Sequence, residues 1–322
     1  MGLNDGIEKS IKIGVSTCLL GQKVRFDAGH KHDRYITDIL GDYFHFVPVC
    51  PELEVGMGVP RESVRLVGSL EAPRLVGTRT GADWTYRMLT YARQRVRRSD
   101  LLDLCGYILK KDSPSCGMER VKLYHESGLA ERSAAGLYAK ILMEQYPLLP
   151  VEEEGRLNDA RIRDNFIERV FAYYRLRRLF ASGFSRGALV AFHTANKYLI
   201  LAHSPKHYTL LGRLAAEVKA HRPSEFREKY SALFMEALTI KATPKKHHNV
   251  MLHILGYLKT DLDPADKQYI LGVLDDYRLG LVPLVVPLTL LRLYVAKQGV
   301  TYIADQIYLS PHPKELMLRN HV

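Results

Sequence analysis

The sequence predicts a two-domain protein: an α/β domain with a mainly parallel sheet over residues 1–155, followed by an all-α domain over residues 156–322. In the first half, apolar segments of strand length alternate with helix-like segments, which is the pattern of a parallel sheet. From residue 158 onward, apolar residues recur at three- and four-residue steps, as they do on helix faces. Three consecutive glutamates in LPVEEEGRLND separate the two patterns.

Three predicted strands of the first domain each run into a loop that carries Gly, Pro or Ser: IKIGVSTC, FHFVPVC and LLDLCGYILK. Helix-like stretches cover residues 34–43, 84–103 and 130–145. Strands that alternate with helices form parallel sheets with right-handed crossovers. Because sites in such sheets lie beyond the carboxyl ends of the strands, we expect the functional residues of this domain in those loops.

The second domain contains only helix-period segments, among them NDARIRDNFIERVFAYYRLRRLFA, SRGALVAFHTANKYLILAHS and HHNVMLHILGYLKT. Ser224, Thr243 and Asp263-Pro264 are typical of helix starts, while Gly280 and Gly299 are typical of helix ends. These signals predict a helical domain that begins near residue 156.

Two features of the sequence bear on the protein's cellular location. The opening MGLNDG has no secretory or myristoylation pattern. The longest apolar run, LGLVPLVVPLTLL at residues 279–291, is too short for a membrane span and is interrupted by Pro283 and Pro287. We therefore expect a cytoplasmic protein with no membrane segment.

The positive charge is confined to the second half. Residues 1–155 contain 21 Lys and Arg and 21 Asp and Glu, whereas residues 156–322 contain 25 and 14, which accounts for the net charge of +11. A basic helical domain is suited to an anionic partner such as tRNA. Alternatively, scattered Lys and Arg side chains merely solvate the helix faces.

The four cysteines all lie within the first 116 residues. Cys18, Cys50 and Cys116 follow three different predicted strands, so their thiols can converge at one edge of the sheet. Cys105 lies inside an apolar run, where a thiol packs as a small hydrophobic group. Without a secretory signal, a metal site or reactive thiols explain the other three better than disulfides do.

The segments STCLLGQKVRFDAGHKHD, VPVCPELEVGMGVPRE and LKKDSPSCG together resemble the thiouracil desulfidase family over roughly residues 10–155. That resemblance implies a [4Fe-4S] cluster on Cys18, Cys50 and Cys116. The chain departs from the family pattern at Phe26, Ala28 and Glu54-Val55. The second half resembles the YbgA-like domain of unknown function through HTANKYLILAHSPKHY and TPKKHHNVMLHILGYLK, which implies a fold and no activity.

Three cysteine ligands leave one iron of a cubane cluster open. That iron can act as a Lewis acid toward the soft sulfur of a thiocarbonyl group. Together with this chemistry, the resemblance implies that water desulfurises a thiolated nucleobase, nucleoside or related thiocarbonyl compound. Glu52 is the candidate to orient or deprotonate that water, and Ser113 is the candidate to bind substrate or the cluster's sulfides.

Other interpretations stay open at this point. Glu52 could simply cap a turn, and Asp27, His30 and His32 are typical of turn and cap residues. The three thiolates could hold zinc instead of a cluster. The protein could also be a nucleic-acid-binding or interaction protein whose cluster is structural or redox-sensing.

The second half contains nine of the 13 histidines. A metal site among them is one interpretation, and polar contacts to phosphate or to the first domain are the other. His203 and His207 would share a helix face only if Pro205 did not interrupt the helix, and we expect that it does.

Overall fold

The computed structural model describes residues 11–125, 129–181, 183–258 and 262–322. Contacts between Cα atoms divide the chain into two compact units, Met1–Asn158 and Asp159–Val322. The first unit contains two sheets and short helices, and the described part of the second is helical. The predicted order of an α/β domain followed by an all-α domain is therefore confirmed.

The described residues of the first unit form eight strands and four α-helices. The strands are β1 Lys12–Ser16, β2 His45–Val49, β3 Val64–Gly68, β4 Pro73–Gly77, β5 Leu104–Leu109, β6 Val121–Tyr124, β7 Ala130–Ala134 and β8 Val151–Glu153. The helices are α1 Pro51–Glu54, α2 Thr85–Arg95, α3 Ser99–Leu102 and α4 Leu137–Gln145.

The first sheet has the order β2-β1-β5-β8, and all of its strands are parallel. Each residue of β5 is buried, including Cys105, which packs in the core as its apolar surroundings predict. The second sheet has the order β4-β3-β6-β7 and mixes parallel and antiparallel pairs. The sequence patterns did not indicate this second sheet.

Two of the helix-like stretches differ from the prediction. Residues 34–43 form a π-helical turn at Tyr35–Ile39 and a 3₁₀ turn at Leu40–Asp42. The prediction of a helix over residues 130–145 is wrong for its first part, because β7 occupies Ala130–Ala134 and α4 begins only at Leu137. Most of β7 is exposed, so it lacks the alternating apolar residues that indicate a strand.

The second unit consists of α5 Ala160–Ala181, α6 Arg186–His203, α7 Pro205–Ala216, α8 Pro223–Thr239, α9 Pro244–Leu258, α10 Pro264–Arg278, α11 Val285–Gln298 and α12 Thr301–Ala304, joined by turns and short 3₁₀ segments. Its side chains build a separate apolar core, with Phe166, Phe171, Phe226, Phe234 and Leu291 almost completely buried. Such a core is what an amphipathic helix pattern needs to stay folded.

Capping residues and prolines in the sequence mark several helix ends. Asp263 caps α10 by accepting a hydrogen bond from the Ala265 amide at 2.7 Å, and Gly299 ends α11 with a φ of 63°. Pro205 begins α7 directly after α6 ends at His203, as predicted. Ser224 lies within α8, which begins one residue earlier. Among the described residues, no helix has the length and apolar character needed to cross a membrane.

Candidate functional site

A cavity of about 450 Å³ lies at the carboxyl end of the first sheet. Cys50 directly follows β2, Cys18 lies in the 3₁₀ turn that follows β1, and Cys116 lies in the loop after β5. Because β2, β1 and β5 are neighbours in a parallel sheet, their carboxyl ends bring the three thiols to this cavity. Glu52 and Ser113 also line it.

The three thiols are largely withdrawn from water. Cys18 and Cys116 are 8% and 7% exposed, and Cys50 is half-buried. Burial, and then the neighbouring Cys50, raises the pKa of Cys18 to about 11. Burial also raises the pKa of Cys50 and places the pKa of Cys116 well above its usual value. In the free protein these thiols are protonated, so binding a metal group must release protons.

The loop that carries Cys116 is held by its own serine. The Ser113 hydroxyl oxygen accepts hydrogen bonds from the Cys116 amide at 3.0 Å and from the Ser115 amide at 3.3 Å. Within the described residues, no acceptor is present for the Ser113 hydroxyl proton. Ser113 therefore both shapes the cysteine turn and has a proton to donate at the cavity.

The amino end of α4 holds the same turn from the other side. The Leu137 amide donates to the Pro114 carbonyl at 3.1 Å, and the amides of Tyr138 and Ala139 donate to the Ser115 carbonyl at 3.1 and 3.2 Å. Gly136 makes this approach possible, since a Cβ atom there would lie 2.5 Å from the Ser115 carbonyl carbon.

Glu52 is fixed by an arginine that sequence reasoning missed. Arg61 Nη2 and Nε donate to Glu52 Oε2 at 2.6 and 3.2 Å, and the Arg61 side chain is 6% exposed. Arg61 also donates to the carbonyls of Val24 and Gly58 at 3.0 and 2.8 Å. Glu52 Oε1 has no hydrogen-bond partner among the described residues. Arg61 is the arginine of VPRE at the end of the second motif, so its position in that motif could have indicated a role at the site.

Cys50 is positioned through Glu54. The Cys50 amide donates to Glu54 Oε1 at 3.1 Å, and Glu54 Oε2 accepts from the Tyr91 hydroxyl at 2.7 Å and from Arg95 Nε at 3.0 Å. Arg95 in turn makes a bidentate pair with Asp100 at 2.8 Å for both bonds. The residue that departs from the family pattern thus joins α1 to α2 and α3.

The cavity walls carry an excess of cations. Five basic side chains line it, against the acidic residues Glu52 and Asp112: Arg25, Lys31, Arg61, Lys110 and Lys111. The hydrogen bond from Arg132 holds the pKa of Asp112 below its usual range. Lys110 pairs with Glu154, which follows β8 and also accepts from the Lys111 amide at 2.8 Å. Such surroundings favour a bound anion, although burial keeps the three thiols protonated in the free protein.

The remaining polar residues of the first motif have structural roles. Asp27 accepts a hydrogen bond from the Gly29 amide at 3.0 Å, which is an Asx turn. The His32 amide donates to His30 Nδ1 at 3.2 Å, and His32 Nε2 contacts the Thr37 hydroxyl at 2.9 Å. These contacts agree with the turn and cap roles expected from the sequence.

The thiols at this cavity suit a cluster with several irons better than a single metal ion. The described residues contain no group of three or more His, Cys, Asp or Glu side chains close enough to share one metal ion. Three soft thiols around a cavity of about 450 Å³ do fit an iron–sulfur cluster, whose cysteine ligands bind separate irons.

Comparisons with known proteins match the two halves of the chain separately. A family model described as 2-thiouracil desulfurase matches residues 13–154, and one described as a protein of unknown function (DUF1722) matches residues 197–313. The uncharacterized protein YbgA of Escherichia coli (strain K12) is 31% identical over 165 residues, which are 51% of this chain and 98% of that protein. The uncharacterized protein YbbK of Bacillus subtilis (strain 168) is 31% identical over 108 residues, 32% of this chain and 71% of that protein.

Among solved structures, the [4Fe-4S]-dependent thiouracil desulfidase TudS (DUF523Vcz) is 26% identical to this chain. The match covers 47% of this chain and 95% of that one, with a TM-score of 0.37.

Proposed function

Because this chain belongs to the 2-thiouracil desulfurase family through residues 13–154 and to the DUF1722 family through residues 197–313, we propose that it is an iron–sulfur-dependent desulfurase. Its substrate is a thiolated nucleobase or a related thiocarbonyl compound. The observation that carries this proposal is the arrangement of three thiols, a fixed carboxylate and a serine hydroxyl around one cavity.

Cys18, Cys50 and Cys116 would hold the [4Fe-4S] cluster. When bound, the cluster supplies an open iron that acts as a Lewis acid toward the soft sulfur of the substrate. The net reaction replaces sulfur by the oxygen of water and releases hydrogen sulfide, so it needs neither an oxidant nor a reductant.

The remaining chemistry belongs to the protein's own side chains. Arg61 holds one oxygen of Glu52, which leaves Oε1 to orient a water molecule and accept its proton. Ser113 can donate its hydroxyl proton to the substrate while its oxygen holds the cysteine turn. The lysines and arginines of the wall favour the anionic sulfur that leaves.

The cellular location and the binding partner of the helical half are further proposals. We propose a cytoplasmic location, where thiols stay reduced and can serve as ligands. We also propose an anionic partner such as tRNA for the helical half, which is supported by its excess of 25 basic over 14 acidic residues. The Lys246 ammonium group donates to the His203 carbonyl at 2.6 Å, so this lysine also holds the helical fold.

The test of the mechanism is Glu52→Gln, assayed as sulfide release from 2-thiouracil by the cluster-loaded protein. We expect the cluster absorption to persist and the rate to fall by about two orders of magnitude or more, the range of a general base. Ser113→Ala should cause a smaller loss. Glu119→Gln is the matched control, because it removes another carboxylate paired with arginine but outside the cavity. Full activity in Glu52→Gln would contradict the assignment and make Asp112 the next candidate.

A further inference from the structure

The helical unit contains a second, much smaller cavity of about 40 Å³. Its polar lining comes from α5, the carboxyl end of α6, the α8–α9 connection, α9 and α10. The lining residues that matter here are Arg161, Asp164, Glu168, His203, Lys241 and His247. Ionisable residues from separate segments that converge on one cavity are typical of a functional site.

The two side-chain carboxylates of this cavity are already paired, and the Val322 main-chain oxygen, also in its lining, accepts from the Leu284 amide at 2.8 Å. Glu168 accepts from His203 Nε2 at 2.5 Å and from Arg319 Nη2 at 3.2 Å. Asp164 accepts from His312 Nε2 at 3.1 Å. The two carboxylates therefore do not leave the cavity with an excess of negative charge.

Two cations at the cavity have no such partner. Arg161 and Lys241 are both exposed, both line the cavity, and neither has an ion-pair partner among the described residues. Both cations lie near Asp159, whose pKa the hydrogen bond from the Ile162 amide and then the charges of Lys241 and Arg161 lower. Neither cation forms an ion pair with a carboxylate of the cavity lining, so the two charges at its mouth favour an anionic ligand.

A neutral histidine lies deeper in the same cavity. His247 is 8% exposed, and its Nδ1 contacts the Tyr308 hydroxyl at 3.0 Å. Burial, and then the charge of Arg319, lowers the pKa of His247 to about 3, so the ring is neutral. When Tyr308 donates to Nδ1, Nε2 carries the ring hydrogen. In this tautomer the Nε2–H, which has no partner among the described residues, can donate to a ligand.

We propose that this cavity binds the phosphate group of inorganic phosphate or of a small phosphomonoester, between Arg161 and Lys241 at the mouth and His247 inside. A volume of 40 Å³ takes about three water molecules, which is room for a terminal phosphate and not for the backbone of a polynucleotide. This inference goes beyond the desulfurase proposal, since every residue it uses lies in the helical unit.

The test is calorimetric titration of the intact chain with inorganic phosphate, at an ionic strength held constant with sodium chloride. We expect saturable binding that is weakened at least about tenfold by Arg161→Gln and by Lys241→Gln, because each removes a charge-assisted contact. Lys245→Gln is the matched control, since Lys245 is exposed, lies close in sequence and does not line the cavity. It should bind phosphate as the unaltered protein does.

Two results would overturn the proposal: absence of saturable binding, or binding that survives both Arg161→Gln and Lys241→Gln. The second result would assign the phosphate to another site, such as the basic wall of the first cavity. A second titration uses an RNA oligomer without terminal phosphates. The affinity of the protein for this oligomer should change no more in Arg161→Gln than in Lys245→Gln. Loss of RNA binding in Arg161→Gln alone would instead assign the site to a polynucleotide. None of these measurements depends on the cluster or on desulfurase activity.

Discussion

Cys105 and Cys116 are both buried in the same unit, yet their backbone positions differ in kind. Cys105 lies within β5, where neighbouring strands and core side chains surround it. Cys116 lies beyond the end of that strand, in a turn whose amides are held by Ser113. A thiol within a strand can only pack, whereas a thiol in a loop at the sheet edge can face a ligand. Position relative to the strand end therefore separates the structural thiol from the three candidate ligands.

His247 allows a prediction on the pH dependence of stability. In the unfolded chain its pKa returns to about 6.5, whereas in the folded unit it is about 3. Between these values the unfolded state binds the extra proton, so stability falls as the pH is lowered, by up to about 1.4 kcal/mol per pH unit. We expect His247→Gln to show a shallower decline than the unaltered protein between about pH 7 and about pH 5.

The measurement is denaturant unfolding followed by the helical circular dichroism signal. The exposed His321 supplies the control, because His321→Gln should leave the slope unchanged. Glu168 does not interfere in this pH range. Burial raises the pKa of Glu168, but the charge of His203 acts against burial and the net effect lowers that pKa to about 2, so the contribution of Glu168 to stability is lost only below about pH 4.5. Identical slopes for His247→Gln and the unaltered protein would contradict the buried neutral histidine.

At the scale of elements, the contact between α4 and the Cys116 turn predicts a sharp effect of one methyl group. In Gly136→Ala the new Cβ atom would lie 2.5 and 2.6 Å from the Ser115 carbonyl carbon and oxygen, and 2.8 Å from the Cys116 nitrogen. These are backbone atoms, so the turn itself must shift. We expect a loss of about 1–3 kcal/mol in stability, and faster loss of cluster iron to a chelator.

Gly272→Ala is the matched control for that change. Gly272 lies within α10, and a Cβ atom there meets nothing within 4 Å. Alanine should stabilise that helix by about 0.5–1 kcal/mol. If Gly136→Ala were as stable as the unaltered protein and kept its iron equally long, the close contact between α4 and the cysteine turn would be refuted.

The elements also show how far the sequence could predict this structure. β1, β2 and β5 are apolar runs that end at Gly, Pro or Ser, so both the strands and the loops that carry the cysteines could be predicted. β8 could not, because its glutamates were interpreted as the boundary between the two halves. Glu153 and Glu154 are in fact buried, and the Met118 amide and Lys110 satisfy them. Such pairing depends on tertiary contacts that no local pattern contains, and the same holds for Glu52 with Arg61.

At the scale of the whole molecule, topology accounts for the first cavity and charge distinguishes the two halves. The parallel order β2-β1-β5 places three loops, distant in sequence, at one sheet edge. The net positive charge of the chain comes entirely from residues 156–322, whereas the three thiols and Glu52 lie in residues 1–155, which have no net charge. The proposed desulfurase chemistry and the proposed anion binding therefore use different residues, and each can fail without the other.

The central claim is that Cys18, Cys50 and Cys116 hold an iron–sulfur cluster. The most direct measurement is iron, acid-labile sulfide and zinc content in anaerobically prepared protein and its cysteine variants. We predict about four irons and four sulfides per chain, abolished by Ser at any of the three positions and retained in Cys105→Ala. Zinc without sulfide in the unaltered protein, or loss of the cluster in a folded Cys105→Ala variant, would contradict it.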